Sequence, residues 1–140
     1  MGVVVRAAAV PLLLVYKELN MVDIGNMLDD ISANKVSAEK DFVIVVSAAR
    51  DCMLATEVYD ASRSLNLCQR AYDRMLALYE RSKLVYARAT NLCMGLDIDY
   101  VRGLDTVAAW ETCKHMERVC FFASQHLDTA RRHCLSMKRQ

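Results

Sequence analysis

Three sets of reactive or charged side chains recur in this chain at spacings that a helix turns into one face. Tyr72, Tyr79 and Tyr86 stand seven apart, and so do Arg74, Arg81 and Arg88. Cys113, Glu117 and Cys120 follow one another at four and three, the separations that stack side chains on neighbouring turns. A tyrosine ladder offers rings for stacking on a ligand. It equally forms the edge of a helix seam whose phenol tips reach water, and the seam edge is the reading expected here. The arginine ladder, with Arg70 and Lys83 beside it, presents guanidinium forks to carboxylates or phosphates. Its plainer role is a solvated flank whose aliphatic stems cover apolar neighbours. Of all the surfaces in the chain, this edge is the candidate for partner binding, through Arg70, Arg74, Arg81 and Arg88.

Two thiolates and a carboxylate on one face are zinc-ligand chemistry. A structural zinc wants four ligands, however, and His115, His126 and His133 are eleven and seven apart, so no two share the spacing that brings ligands together on a helix. No metal or other cofactor is expected. No GxSxG, P-loop, GxGxxG or HExxH motif occurs, and a long helical hairpin offers no obvious cleft, so the chain is expected not to be an enzyme. Arg131-Arg132-His133 and Lys138-Arg139 form a basic tail. It suits anionic lipid or nucleic acid, but also the negative end of a terminal helix. The second reading is preferred, and nucleic acid is not a favoured partner.

The elements that must hold these groups are written in two stripes. One runs Leu54, Val58, Ala61, Leu65, Cys68, Tyr72, Met75, Tyr79, Ser82, Tyr86, Ala89, Cys93; the other runs Ala109, Cys113, Met116, Cys120, Ala123, Leu127, Ala130, Cys134, Met137. Both keep the four-three spacing of a heptad seam. Met94-Gly95-Leu96-Asp97-Ile98 between them reads as a turn. Folding back there makes positions summing to about 192 meet, setting Tyr79 against Cys113, Tyr72 against Cys120, Leu65 against Leu127 and Val58 against Cys134. Large then faces small along much of the seam, as close packing requires.

Before the hairpin, a first helix is expected from about Pro11 to Ile31, with Ser32-Ala33-Asn34-Lys35 as its connection. A second helix starts near Ser37, a suitable N-cap with Glu39 in the first turn. Phe42–Val46 has strand-like composition, but the helical pattern resumes through Ala48, Ala49, Cys52 and Ala55, so the segment is assigned to helix. No Pro or Gly lies between residues 26 and 94. That allows one helix of about 85 Å, or two with a break near residues 60–66. The last helix is expected to start near Asp99. The fold predicted is all-α: an elongated antiparallel bundle of three long helices, or four if the second is broken, in a single domain with residues 1–35 packing on a 37–140 hairpin.

Bulk composition sets the functional expectation. The chain has 140 residues and a net charge of +1, which provides no global drive toward polyanions. Charge is uneven: residues 61–94 carry six basic groups against Asp73 and Glu80, while residues 95–128 have an acidic excess of three. The hydrophobic fraction is 54%, above the usual range of about 45–50%, and a thin hairpin cannot hide all of it. The excess is expected to bury against the N-terminal third, a second copy or a protein partner. Six cysteines without CxxC read as small buried hydrophobes in a reducing, intracellular compartment. The expected role is a non-enzymatic interaction or scaffold subunit. A membrane-surface module using the apolar Val3–Tyr16 segment and the basic tail is the alternative, and a zinc or thiol protein is another. A secreted helical cytokine is the weakest reading.

Overall fold

The computed structural model describes the backbone of residues 2–95 and 106–140, and within those ranges the side chains from residue 21 onward. Among the described residues the fold consists of three helices: α1 (Gly2–Leu54), α2 (Val58–Gly95) and α3 (Thr106–Arg139). Each packs on both of the others, and no strand occurs among the described residues. The expected all-α bundle of three long helices is the observed architecture.

The direction of each helix follows from the contacts between them. Asn34 of α1 meets Ser82 of α2, and Asp41 meets Arg74, so rising numbers in α1 pair with falling numbers in α2. Glu39 meets His115 of α3 and Cys52 meets Ala130, so α3 runs parallel to α1. The path is up, down, up.

Helix boundaries in the first half differ from the expectation. The chain stays helical from Gly2, through Pro11 and through Ser32–Lys35, to Leu54. An interior proline forfeits one backbone hydrogen bond, yet the helix of 53 residues continues through it. The Ser32–Lys35 polarity that suggests a loop is used inside the helix and across it. The Ser32 hydroxyl donates back to the Leu28 carbonyl at 3.4 Å, and the Asn34 amide donates to Ser82 at 3.1 Å. Beneath that polarity Ile24, Ile31, Ala38, Val45 and Cys52 recur every seven residues, and all are buried. One heptad seam therefore crosses the supposed connection without interruption.

The chain turns instead at Ala55-Thr56-Glu57, earlier than the alternative break near residues 60–66. The Cys52 carbonyl accepts from the Ala55 N–H at 3.3 Å, and the Glu57 carbonyl accepts from Ala61 at 3.0 Å, which makes Glu57 the residue that opens α2. Asp60 in the first turn of α2 suits the positive helix end. Leu54 and Val58, read as the start of the seam, flank this turn and are exposed. The later turn expected at Met94–Ile98 has Met94 and Gly95 inside the last turn of α2, while residues 96–98 and the expected start at Asp99 lie outside the described residues.

Both C-terminal stripes form the core. Ala109, Cys113, Met116, Cys120, Ala123, Leu127, Ala130 and Cys134 are all buried. On α2 the sevens-repeat Ala61, Cys68, Met75, Ser82, Ala89 is fully buried, while Leu65, Tyr72, Tyr79 and Tyr86 are half-buried at its edge. The register of the hairpin is shifted from the one expected. The Ser62 hydroxyl lies 3.4 Å from Cys134 Sγ, and the Cys113 thiol donates to the Ser82 carbonyl at 3.8 Å. These contacts pair residues whose numbers sum to 196 and 195, about one turn away from 192. Cys134 thus faces Ser62 and not Val58. The cause is the third helix: α2 must seat against α1 and α3 together, and matching large to small across two arms alone does not include that constraint.

Candidate functional site: the groove between α2 and α3

The helix pairing sorts the charged and aromatic ladders to opposite flanks of α2. Arg74 bonds Asp41 of α1 at 3.2 Å, so the arginine ladder flanks α1. Tyr79 lies beside Glu117 of α3, so the tyrosine ladder flanks α3. Heptad geometry explains the split, because these two ladders occupy the positions on either side of the buried sevens-repeat.

Where the tyrosine flank meets the first turns of α3, a groove of about 200 Å³ opens, lined by Tyr79, Lys83, Tyr86, Trp110, Cys113, Lys114 and Glu117. Three of these seven residues are aromatic. The Lys83 ammonium stands 4.9 Å above the Tyr79 ring, and that of Lys114 stands 5.6 Å above the Trp110 ring, both within cation–π range. Lys114 also pairs with Glu117 at 3.3 Å. Burial, together with the neighbouring Glu117 carboxylate that accepts from its hydroxyl, pushes the Tyr79 phenol up. The Cys113 thiol forms part of the floor and is buried; its acidity is lowered by that burial, so its pKa is raised. A thiol held protonated is a poor nucleophile, so Cys113 gives the groove an apolar floor and not an activated attacking group.

Of the residues singled out from sequence, Tyr79, Tyr86, Lys83, Cys113 and Glu117 come together here. Trp110 and Lys114 were not singled out. Their signal is positional: Trp110 stands three residues before Cys113, and Lys114 next to it, on the flank of the α3 seam that the tyrosines of α2 must face. Tyr72 packs lower down against the main core, which holds Cys68, Met75, Cys120, Ala123, Leu127 and Cys134 with half-buried Leu65. Cys113 and Tyr86 belong to a separate cluster around Ile31.

Arg70, Arg74, Arg81 and Arg88 are all exposed. Arg74 is engaged by Asp41, whose side chain is only 14% exposed. Arg70, Arg81 and Arg88 make no ion pair among the described residues. In the basic tail, Arg131 donates to Gln69 Oε1 and Arg132 pairs with Asp128, while Lys138 and Arg139 occupy the last turn of α3. Two of the histidines face α1: His115 meets Glu39 at 3.2 Å and His126 packs edge-on against Phe42. Among the described residues no three His, Cys, Asp or Glu side chains gather as a metal site, and all six cysteines are free and buried. None of the described helices is long and apolar enough to cross a membrane. The side chains of Val3–Tyr16, on which the membrane-surface alternative rests, lie outside the described residues.

A second groove of about 410 Å³ lies between α1 and α3, with walls from Val46, Met53, Gln125 and His126, but it lacks the pairing of rings with ammonium groups. No family model matches the chain, and no curated protein or solved structure matches it either.

Proposed function

We propose that this chain is a non-enzymatic helical interaction module of a reducing compartment, which buries its outer apolar side chains against a second copy or a protein partner. One observation carries the reading: small residues take up much of the core while large apolar side chains stay outside. Ala61, Cys68, Ala71, Ala89, Cys120 and Ala123 are all buried, alongside the larger Val45, Met75 and Leu127. Val43, Leu84, Phe121 and Phe122 meanwhile remain 52–72% exposed. Small core residues draw the helices close, and the large apolar groups left outside are what a partner surface removes from water. Arg70, Arg81 and Arg88, free of ion pairs among the described residues, supply charge for orientation more than for affinity.

Sedimentation equilibrium over a concentration series, repeated at low and high salt, tests the proposal. Mass rising above that of one chain, or a stable complex with a protein co-purified from the native source, supports it. A protein that stays monomeric at every concentration and retains no partner removes it.

A further inference from the structure

We propose that the groove between α2 and α3 binds a planar aromatic ring carrying a single acid group. The argument begins with size. An apolar cavity of about 150 Å³ takes one benzene, so the groove of about 200 Å³ suits one ring or two fused rings and is small for a larger ligand. The lining comes next. Tyr79, Tyr86 and Trp110 all line the space; Lys83 and Lys114 stand over the Tyr79 and Trp110 faces, which leaves ring edges to a ligand, and edge contact between aromatic rings gains beyond simple burial. Trp110 is 48% exposed, so apolar area remains there for a ligand to cover.

Charge fixes the rest of the ligand. Two ammonium groups and one carboxylate line the groove. Glu117 already pairs with Lys114, which leaves Lys83 as the groove cation without an ion pair among the described residues. An acid group on the ligand completes that pair. A neutral ring would leave the Lys83 ammonium partly desolvated without a partner. A dianion would meet Glu117. A quaternary ammonium ligand, the usual guest of an aromatic cage, is repelled, because Lys83 and Lys114 already stand over the ring faces. This inference is independent of the self-association reading, since it concerns a space within one chain.

The chain contains a single tryptophan, so its indole N–H gives one NMR resonance, and that resonance reports on the groove. The full-length protein is titrated with naphthoate and, separately, with naphthamide, the neutral analogue of the same shape. The expected result is a saturable shift of the Trp110 indole resonance with naphthoate binding about tenfold more tightly than naphthamide, the size of one charge-assisted contact. In Lys83→Gln the two affinities should converge to within about twofold, by loss of naphthoate affinity alone. Lys40→Gln, an exposed lysine on α1, should leave both unchanged. Equal affinities in the parent protein, or no shift of the indole resonance with either compound, overturns the proposal. Amide spectra of each variant establish that it is folded.

Discussion

The Asn34 side-chain amide donates to the Ser82 hydroxyl at 3.1 Å, joining α1 to α2 across a core otherwise made of apolar groups. Ser82 is the one fully buried polar residue of the described core, and its backbone carbonyl takes the Cys113 thiol from α3. One polar layer therefore touches all three helices. In coiled coils a single polar core position selects register at some expense of stability, and this layer is placed to do the same. Ser82→Ala leaves the Asn34 amide without its partner and should cost about 1–2 kcal/mol in urea unfolding. Asn34→Leu with Ser82→Ala removes both partners together and should cost less than the sum of the two single changes, with a loss of amide dispersion in NMR spectra as register becomes less defined. Strict additivity would show that the two residues do not act as a pair.

The position of the first turn yields a sharper test. Two glycines inserted between Thr56 and Glu57 lengthen an existing connection, and loop closure changes by less than about 1 kcal/mol. The same insertion between Ala33 and Asn34 rotates everything that follows by about 200° relative to Ile24 and Ile31. Val45 and Cys52 would then leave the core, and the bundle should lose several kcal/mol or fail to fold. Comparing the thermal melts of the two variants distinguishes one continuous α1 from two helices joined at residues 32–35.

These two regions also show what sequence reveals and what it conceals. The stripes from Ala61 to Cys93 and from Ala109 to Met137 are legible because their four-three spacing is uninterrupted and no local residue opposes it. Ile24, Ile31, Ala38, Val45 and Cys52 are equally regular, but Ser32 and Asn34 suggest a turn by local preference, and packing overrides that preference. The hairpin register resists prediction for a different reason. Several offsets place a tyrosine opposite a small residue, and only the contacts of α1 with both arms select among them. The groove is the least legible feature, since Trp110 and Lys114 acquire meaning only when α2 places Tyr79 and Lys83 opposite them.

The arginine ladder separates into residues with different duties. Arg74 is tied to Asp41, so Arg74→Glu sets like charges together and should lower stability by up to about 1 kcal/mol, the scale of a half-exposed pair. Arg81→Glu breaks no ion pair among the described residues. Helicity and melting temperature should stay at the parent values while association in sedimentation weakens. Unchanged association in Arg81→Glu excludes this edge from the interface, and an equal loss of stability in both variants contradicts the division of roles.

Burial of the thiols links the stability of the fold to alkaline pH. Cys68 and Cys120 are pushed up to about 11 by loss of hydration, and burial also raises Cys52, Cys93 and Cys113. In the unfolded chain these groups ionise near the ordinary value of 9.0. Above that pH the unfolded state has shed protons that the folded state retains, so stability must fall with rising pH. The thiol contribution is intact below pH 9 and is lost as pH climbs toward 11, at about 1.4 kcal/mol for each tenfold difference in acidity of one group. The Tyr79 phenol, also raised, adds to the loss in the same direction. Urea midpoints measured between pH 7 and 11 should therefore decline mainly above pH 9, and Cys68→Ala with Cys120→Ala should flatten that decline even where it lowers the midpoint at neutral pH. Reaction with a thiol reagent at pH 8 should proceed at the rate of opening of the bundle, while all six cysteines react at once in denaturant. Rapid labelling of Cys68 or Cys120 in the native protein would mean that those thiols are not enclosed by the three helices.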